Sequence, residues 1–201
     1  MKHVWLIDSG HGGMIDGLYQ TAPDKMFVHN DGSVFYEGVF NRDIKHQLVD
    51  KMMANNLQYI DVCPTELDVD LDVRTDTANR YYREYKNAVL ISLHSNAGGG
   101  TGFEIWTSVG QTRSDKFAEI MGHIFIDSFL GAPFRPDTSD GDMDKESQFY
   151  ILKYTKCPAV LPECLFFDNW SDYQMLIDPD FQNDYVDALV KFMLEAEATN
   201  I

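Results

Sequence analysis

Three short apolar runs constrain this chain more than any other feature: "KHVWLI" (2–7), "YIDVCPT" (59–65) and "AVLISL" (88–93). Each is too short for a core helix and each stops at polar or glycine-rich residues, as buried strands do. Between them the pattern changes period. "EGVFNRDIKHQLVDKMMANN" (37–56) carries Phe40, Ile44, Leu48 and Met52 at four-residue steps, which stacks them on one helical face. "LDVRTDTANRYYREYK" (71–86) predicts a second helix with a charged outer face. Strands alternating with helices predict a single α/β domain over 1–201, with a mixed, mainly parallel central sheet flanked by helices on both faces.

Further along, "GFEIWTS" (102–108) predicts a strand. "SDKFAEIMGHIFIDSFL" (114–130) predicts a helix capped by Ser114. The Pro, Asp and Gly of 131–147 predict a loop, "FYILKYTKCPAVLPECLFF" (149–167) a strand, and 181–196 a closing amphipathic helix. Within "FVHNDGSVFYE" (27–37) the Asp31-Gly32 pair predicts a hairpin with a type I′ turn, which needs positive φ at both central residues.

The balance of charges excludes some partners. With 32 acidic against 16 basic side chains, a formal charge of −16, the chain repels phosphate backbones and anionic lipid, so nucleic acid is not an expected partner. No apolar stretch approaches the roughly 18 residues of a membrane span, and Val4 to Ile7 is too short for a signal-peptide core. Membrane insertion is therefore not expected, and synthesis in the cytoplasm without a signal peptide is. Cys63, Cys157 and Cys164 show no C-x-x-C spacing and predict reduced, partly buried thiols.

In sheets of this kind functional side chains collect where strands end. His11, in "LIDSGHGGM" (6–14), follows the first strand; His94 follows the strand 88–93; Glu163 lies in the last apolar run, and Glu37 opens the first helix. Two histidines and a carboxylate from separate segments are the usual protein ligands of a catalytic zinc that keeps one position open for water, and a further carboxylate can serve as base. Neutral imidazole and carboxylate bind such an ion without quenching its Lewis acidity. Dispersed ligands are a weaker signal than H-E-x-x-H, and a histidine that merely closes a strand end fits either position alone. Cys164 invites reading as a nucleophile, but as the strand neighbour of Glu163 it points to the opposite, core face.

Five blocks taken in order, "IDSGHGG", "EGVFN", "LDVRTDTAN", "ISLHSNA" and "CPAVLPECLFFDN", resemble those of the zinc-dependent N-acetylmuramoyl-L-alanine amidases, the family known as amidase type 3, from about residue 4 to 176. The resemblance implies zinc (Zn2+) held by His11, Glu37 and His94, with Glu163 as the catalytic glutamate. It implies hydrolysis of the amide joining the lactyl group of N-acetylmuramic acid to L-alanine in peptidoglycan or a muropeptide. Arg74 and Asn96 fall in its remaining blocks and are candidates to bind substrate, Arg74 alternatively pairing with a nearby acid. Asp8 either hydrogen-bonds a ligand histidine or only ends its strand. In two respects the chain departs from the family: Leu165 stands where a glycine is common two residues after the catalytic glutamate, and the segment between His11 and Glu37 is longer than usual.

A catalytic domain with no wall-binding module fits a phage- or prophage-type lysin acting on the cell wall once released, or a recycling enzyme. A zinc peptidase on the same scaffold and an inactive peptidoglycan-binding module are the rival readings. The 131–147 segment is acidic enough to reach over the ion in the manner of regulated relatives, although a mobile loop beside the substrate suits its short length better. Nothing in the sequence fixes the oligomeric state.

Overall fold

The computed structural model describes residues 2–139, 141–199 and 201. The elements run β1 (Val4–Ser9), β2 (Met14–Ile15), β3 (Leu18–Tyr19), β4 (Met26–Val28), β5 (Val34–Tyr36), α1 (Glu37–Ala54), β6 (Gln58–Asp61), α2 (Leu71–Glu84) and β7 (Ala88–Asn96). They continue with β8 (Glu104–Ser108), α3 (Ser114–Ser128), β9 (Lys145–Ser147), α4 (Tyr150–Tyr154), β10 (Ala159–Phe166), α5 (Trp170–Leu176) and α6 (Pro179–Thr199). Six strands form the central sheet in the order β6-β1-β7-β10-β8-β9. All neighbours are parallel except β10 and β8.

The four-residue steps of α1 do what their spacing requires. Phe40, Ile44, Leu48 and Met52 are buried in the core that α1, α3 and α6 build on one face of the sheet. Complete burial of side chains of this size contributes roughly 1.5–3 kcal/mol each. On the other face α2 and α4 cover a smaller cluster of Val4, Leu6, Leu90, Ile151 and Leu152. Alternate residues of β1 thus serve opposite cores, Trp5 and Ile7 one and Val4 and Leu6 the other, as a two-residue period demands.

Chain order fixes where a site belongs. From β1 the chain crosses through α1 to β6 on one side, then returns through α2 to β7 on the other. The strand order therefore reverses at β1, and a crevice opens beyond the carboxyl ends of β1 and β7. Gly10 N donates to Leu93 O at 3.0 Å, extending the β1–β7 pairing by one residue into the His11 loop.

Several local expectations give way to tertiary contacts. The turn at Asp31-Gly32 is not type I′: only Gly32 has positive φ, at 87°, and Gly32 N donates to His29 O, the three-residue loop with a glycine bulge. Ser114 does not cap α3; the cap position is Arg113, and the Ser114 hydroxyl accepts Ala159 N instead. The expected strand 149–167 is a short helix, α4, followed by β10. The 131–147 segment contains β9, which pairs with β8, and Arg135 N donates to Phe103 O at 2.9 Å, so the segment is fastened to the sheet edge.

Candidate functional site

His11 leaves β1 with φ at +64°, a left-handed backbone that costs a non-glycine residue roughly 1–2 kcal/mol. The neighbouring Arg74 holds it there. Its guanidinium is buried on α2 and donates to His11 O (2.9 Å), Ser9 O (2.6 Å), Asp8 Oδ1 (2.8 Å) and Val69 O (2.8 Å), with Asp68 Oδ1 3.5 Å away. Asp8 in turn accepts from Ser92 Oγ at 2.7 Å.

Of the two roles open to Arg74, pairing with a nearby acid is the one its contacts match, in place of a substrate role, since every donor of the guanidinium already faces a partner within the protein. Among the described residues Asp8 touches no histidine ring; it acts on His11 only through Arg74 and the backbone.

Glu37 is the first residue of α1, where the helix dipole favours an anion. The cap residue, Tyr36, makes no side-chain cap bond. The first amides of the helix are satisfied by the preceding loop, Glu37 N by Lys25 O (3.0 Å) and Gly38 N by Tyr19 Oη (3.0 Å). Gly38 allows that loop to approach, because a Cβ there would meet Gly12 O at 1.9 Å. The carboxylate of Glu37 is thus delivered from the loop and helix to the ends of β1 and β7.

There it meets both imidazoles. Glu37 Oε1 lies 2.9 Å from His94 Nδ1 and 3.2 Å from His11 Nε2, and the three ligand atoms all lie within 4.8 Å of one another. His94 reaches this position across Gly10, where a Cβ would come within 2.2 Å of the ring. Burial alone raises the Glu37 carboxyl pKa, but the imidazoles of His11 and His94 against it outweigh burial and hold the group well below the usual carboxylate range. Burial keeps His11 low despite Glu37, whereas at His94 the Glu37 bond and charge outweigh burial and raise the pKa.

The arrangement fits a metal ion. Ligand bonds of about 2.0–2.2 Å in a tetrahedral site place neighbouring ligand atoms roughly 3.3–3.6 Å apart, close to the spacing around Glu37 Oε1. Two buried atoms of the cluster, His11 Nε2 and Glu37 Oε2, lack a well-formed hydrogen bond among the described residues. A buried polar atom left so is costly unless something else satisfies it, and imidazole nitrogen with carboxylate oxygen is the donor set of such ions.

Glu163 stands on β10 in register with His94 on β7. Its Oε2 is buried without a hydrogen-bond partner among the described residues. Burial, countered by His94 and reinforced by Glu37, pushes its pKa up to about 8, so the carboxyl can hold or release a proton near neutrality. Cys164 beside it is fully buried in the core with its thiol pKa raised well above the usual value by burial, which leaves no nucleophile there. Leu165 follows with φ at +57° where the pairing of β10 with β7 shifts register. That backbone explains why glycine suits the position, and Leu165 occupies it by burying its side chain completely.

Asn96 donates from Nδ2 to Glu104 Oε2 (2.8 Å) and accepts Ala97 N at Oδ1 (2.8 Å), which fixes its amide in the wall beside Glu163. Glu104 is itself held by Arg135 (2.8 Å) and Lys145 (3.0 Å). No acid of 131–147 joins the His11–Glu37–His94 cluster among the described residues; Asp144 is tied to Thr107 at 2.5 Å instead. Sequence reasoning missed Lys25, which lies in the hairpin segment outside every quoted block, and Glu104, which reaches the site through strand pairing (Glu163 opposite Glu104) rather than through a motif.

The fold and this cluster define an α/β protein with a candidate His-Glu-His metal site at the switch point of its sheet. More specifically, the chain belongs to the N-acetylmuramoyl-L-alanine amidase family, whose pattern it matches over residues 6–195. It is 29% identical to the N-acetylmuramoyl-L-alanine amidase CwlM of Bacillus licheniformis over 85% of its length and 27% identical to the endolysin of Bacillus phage SPP1 over 91%. It spans 59% and 61% of those two relatives. The fold is that of the N-acetylmuramoyl-L-alanine amidase from Clostridium difficile 630, with a TM-score of 0.77 at 24% identity, covering 98% of this chain and 97% of that one.

Proposed function

We propose that the chain is a zinc-dependent amidase that hydrolyses the amide between the lactyl group of N-acetylmuramic acid and L-alanine in peptidoglycan, and that it works as a phage-type cell-wall lysin. The single observation that carries this reading is the convergence of His11, Glu37 and His94 within 4.8 Å beside the buried, high-pKa carboxyl of Glu163, in a chain of this family. Similarity to the SPP1 endolysin supports the lysin role. No helix among the described residues is long and apolar enough to cross a membrane.

His11, Glu37 and His94 would hold the ion, and Arg74 fixes the His11 backbone from behind. When bound, zinc supplies Lewis acidity that polarises the scissile carbonyl and lowers the pKa of water. Glu163 takes the proton of the attacking water and returns it to the departing alanine nitrogen. A carboxyl pKa raised toward neutrality suits both halves of that shuttle.

Digestion of purified sacculi tests the reading. Mass spectrometry should find peptides with a free N-terminal alanine and intact glycan strands. Glu163→Gln should keep about one zinc per chain while losing turnover by about 10²–10⁴-fold, the usual contribution of a positioned acid–base group. Shortened stem peptides still joined to the glycan would favour a peptidase and overturn the amidase assignment. Sacculi bound but uncut by a protein that takes up no zinc would favour the binding module.

A further inference from the structure

Two hollows flank the metal-ligand cluster, and each holds one cation among acids. One, of about 700 Å³, is walled by Asp68, Asp70, Asp72 and Arg74 on its far side, and every donor of Arg74 is committed to the protein. The other, of about 280 Å³, is lined by Lys25 and by the acids Glu37, Glu163 and Asp168, among others. Histidines apart, Lys25 and Arg74 are the only basic side chains among the described residues lining the two. Lys25 alone has donors to spare: its side chain is 49% exposed and its Nζ stands 4.0 Å from Glu37 Oε2, too far for a direct hydrogen bond.

The backbone of Lys25 is held as firmly as its ammonium is free. Its φ is +56°, and its carbonyl accepts both Glu37 N (3.0 Å) and Tyr19 Oη (3.0 Å). Strained non-glycine backbone persists only where its surroundings fix it. Here the fixing residues are the first residue of α1 and the loop that caps it, so the lysine is delivered beside a metal ligand by the same contacts that place that ligand.

We propose that Lys25 binds a carboxylate of the substrate next to the scissile bond, and so selects stem peptides whose residue after the alanine carries a free acid over those in which that acid is a carboxamide. The inference rests on the amidase reading and deepens it. In a chain of net charge −16, with acids lining both hollows, Lys25 is the one uncommitted ammonium or guanidinium that an anionic group meets among the described lining residues. An ammonium with free donors hydrogen-bonds a carboxylate more strongly than a neutral amide, and a carboxamide presents its own N–H groups to a donor-only side chain.

The test compares two soluble disaccharide-peptide substrates that differ only in free acid against carboxamide at that residue. Wild-type enzyme should favour the free acid about tenfold in kcat/KM, Lys25→Met should bring the ratio to within about twofold, and Lys25→Arg should retain most of it. The same pair titrated calorimetrically into the Glu163→Gln protein, with and without Lys25→Met, should show the same change in the ratio of Kd values. A ratio near one in the wild type, or one that Lys25→Met leaves unchanged, overturns the proposal. Failure of the amidase reading looks different: the lactyl amide stays intact, whereas the calorimetric ratio still reports on Lys25. Unchanged zinc content and melting midpoint in Lys25→Met exclude misfolding as the cause.

Discussion

The two cations that flank the His-Glu-His cluster are held in opposite ways. Arg74 is buried, with every donor facing a carbonyl or a carboxylate of the protein. Lys25 is pinned only through its backbone and keeps its ammonium half in solvent. One cation is sealed and fixes geometry, and the other stays open to solvent. Charge near a catalytic cluster therefore says little about role until its donors have been assigned.

The largest effect is expected where that seal is broken. Arg74→Met leaves Asp8 buried without its cation and the carbonyls of Ser9 and His11 without their donor, and removing one partner of a buried pair costs about 3–5 kcal/mol. Urea unfolding should show this loss, and Asp8→Asn in the same chain should restore part of it by removing the stranded charge. A loss below about 1 kcal/mol would mean that Arg74 is not the sealed residue the comparison requires.

Leu165 sharpens the sealed side. Its φ of +57° and complete burial pull in opposite directions. Leu165→Ala keeps the strained backbone and forfeits the packing, at about 2–5 kcal/mol. Leu165→Gly forfeits the same packing and relieves the strain, so it should be more stable than the alanine variant by about 1 kcal/mol. Elsewhere glycine is the worse of the two, so the reversed order of melting midpoints is diagnostic. Alanine above glycine would show that the backbone there relaxes.

These contrasts also show what the sequence made legible. The apolar runs and the four-residue steps of α1 specify the layers of the fold because period and burial coincide over whole elements. His11 and Glu37 are readable as candidates because one follows and the other opens such an element, and His94 and Glu163 because they fall in strands inside quoted blocks. The five residues of α4 and the seven of α5 are too short to show a period, and α4 exists because Ile151 and Leu152 pack onto the α2 face of the sheet. Ser114 looked like a cap, but its hydroxyl serves Ala159 across 45 residues. For Arg74 both a substrate role and a pairing with a nearby acid were readable, and only the folded chain shows where its donors go.

Asp144 offers a buried acid without a cation, against the Asp8–Arg74 pair. Burial, with Asp142 and Asp115 nearby, pushes its pKa up to about 7 from an ordinary 3.8. The folded state then holds a proton that the unfolded chain releases, so the contribution of Asp144 to stability is fullest below about pH 4 and is lost as pH rises through about 7. Asp144→Asn keeps an oxygen to accept from Thr107 and cannot ionise. It should match the wild type near pH 4 and exceed it by about 1–2 kcal/mol at pH 8, as urea titrations at the two pH values would show. A constant difference across that range would mean that the acid is ionised in the fold.

The smallest effect is expected at Lys25. Its methylenes are half exposed, its ammonium makes no direct hydrogen bond to Glu37, and the carbonyl that caps α1 belongs to the backbone, which substitution leaves in place. Lys25→Met should therefore change stability by no more than about 0.5 kcal/mol, as exposed charges usually do. Urea midpoints for Lys25→Met and Arg74→Met, measured together, put both cations on one scale. A loss above about 1.5 kcal/mol at Lys25 would place it with Arg74 among the sealed residues and remove the physical ground for a side chain kept free to meet a carboxylate.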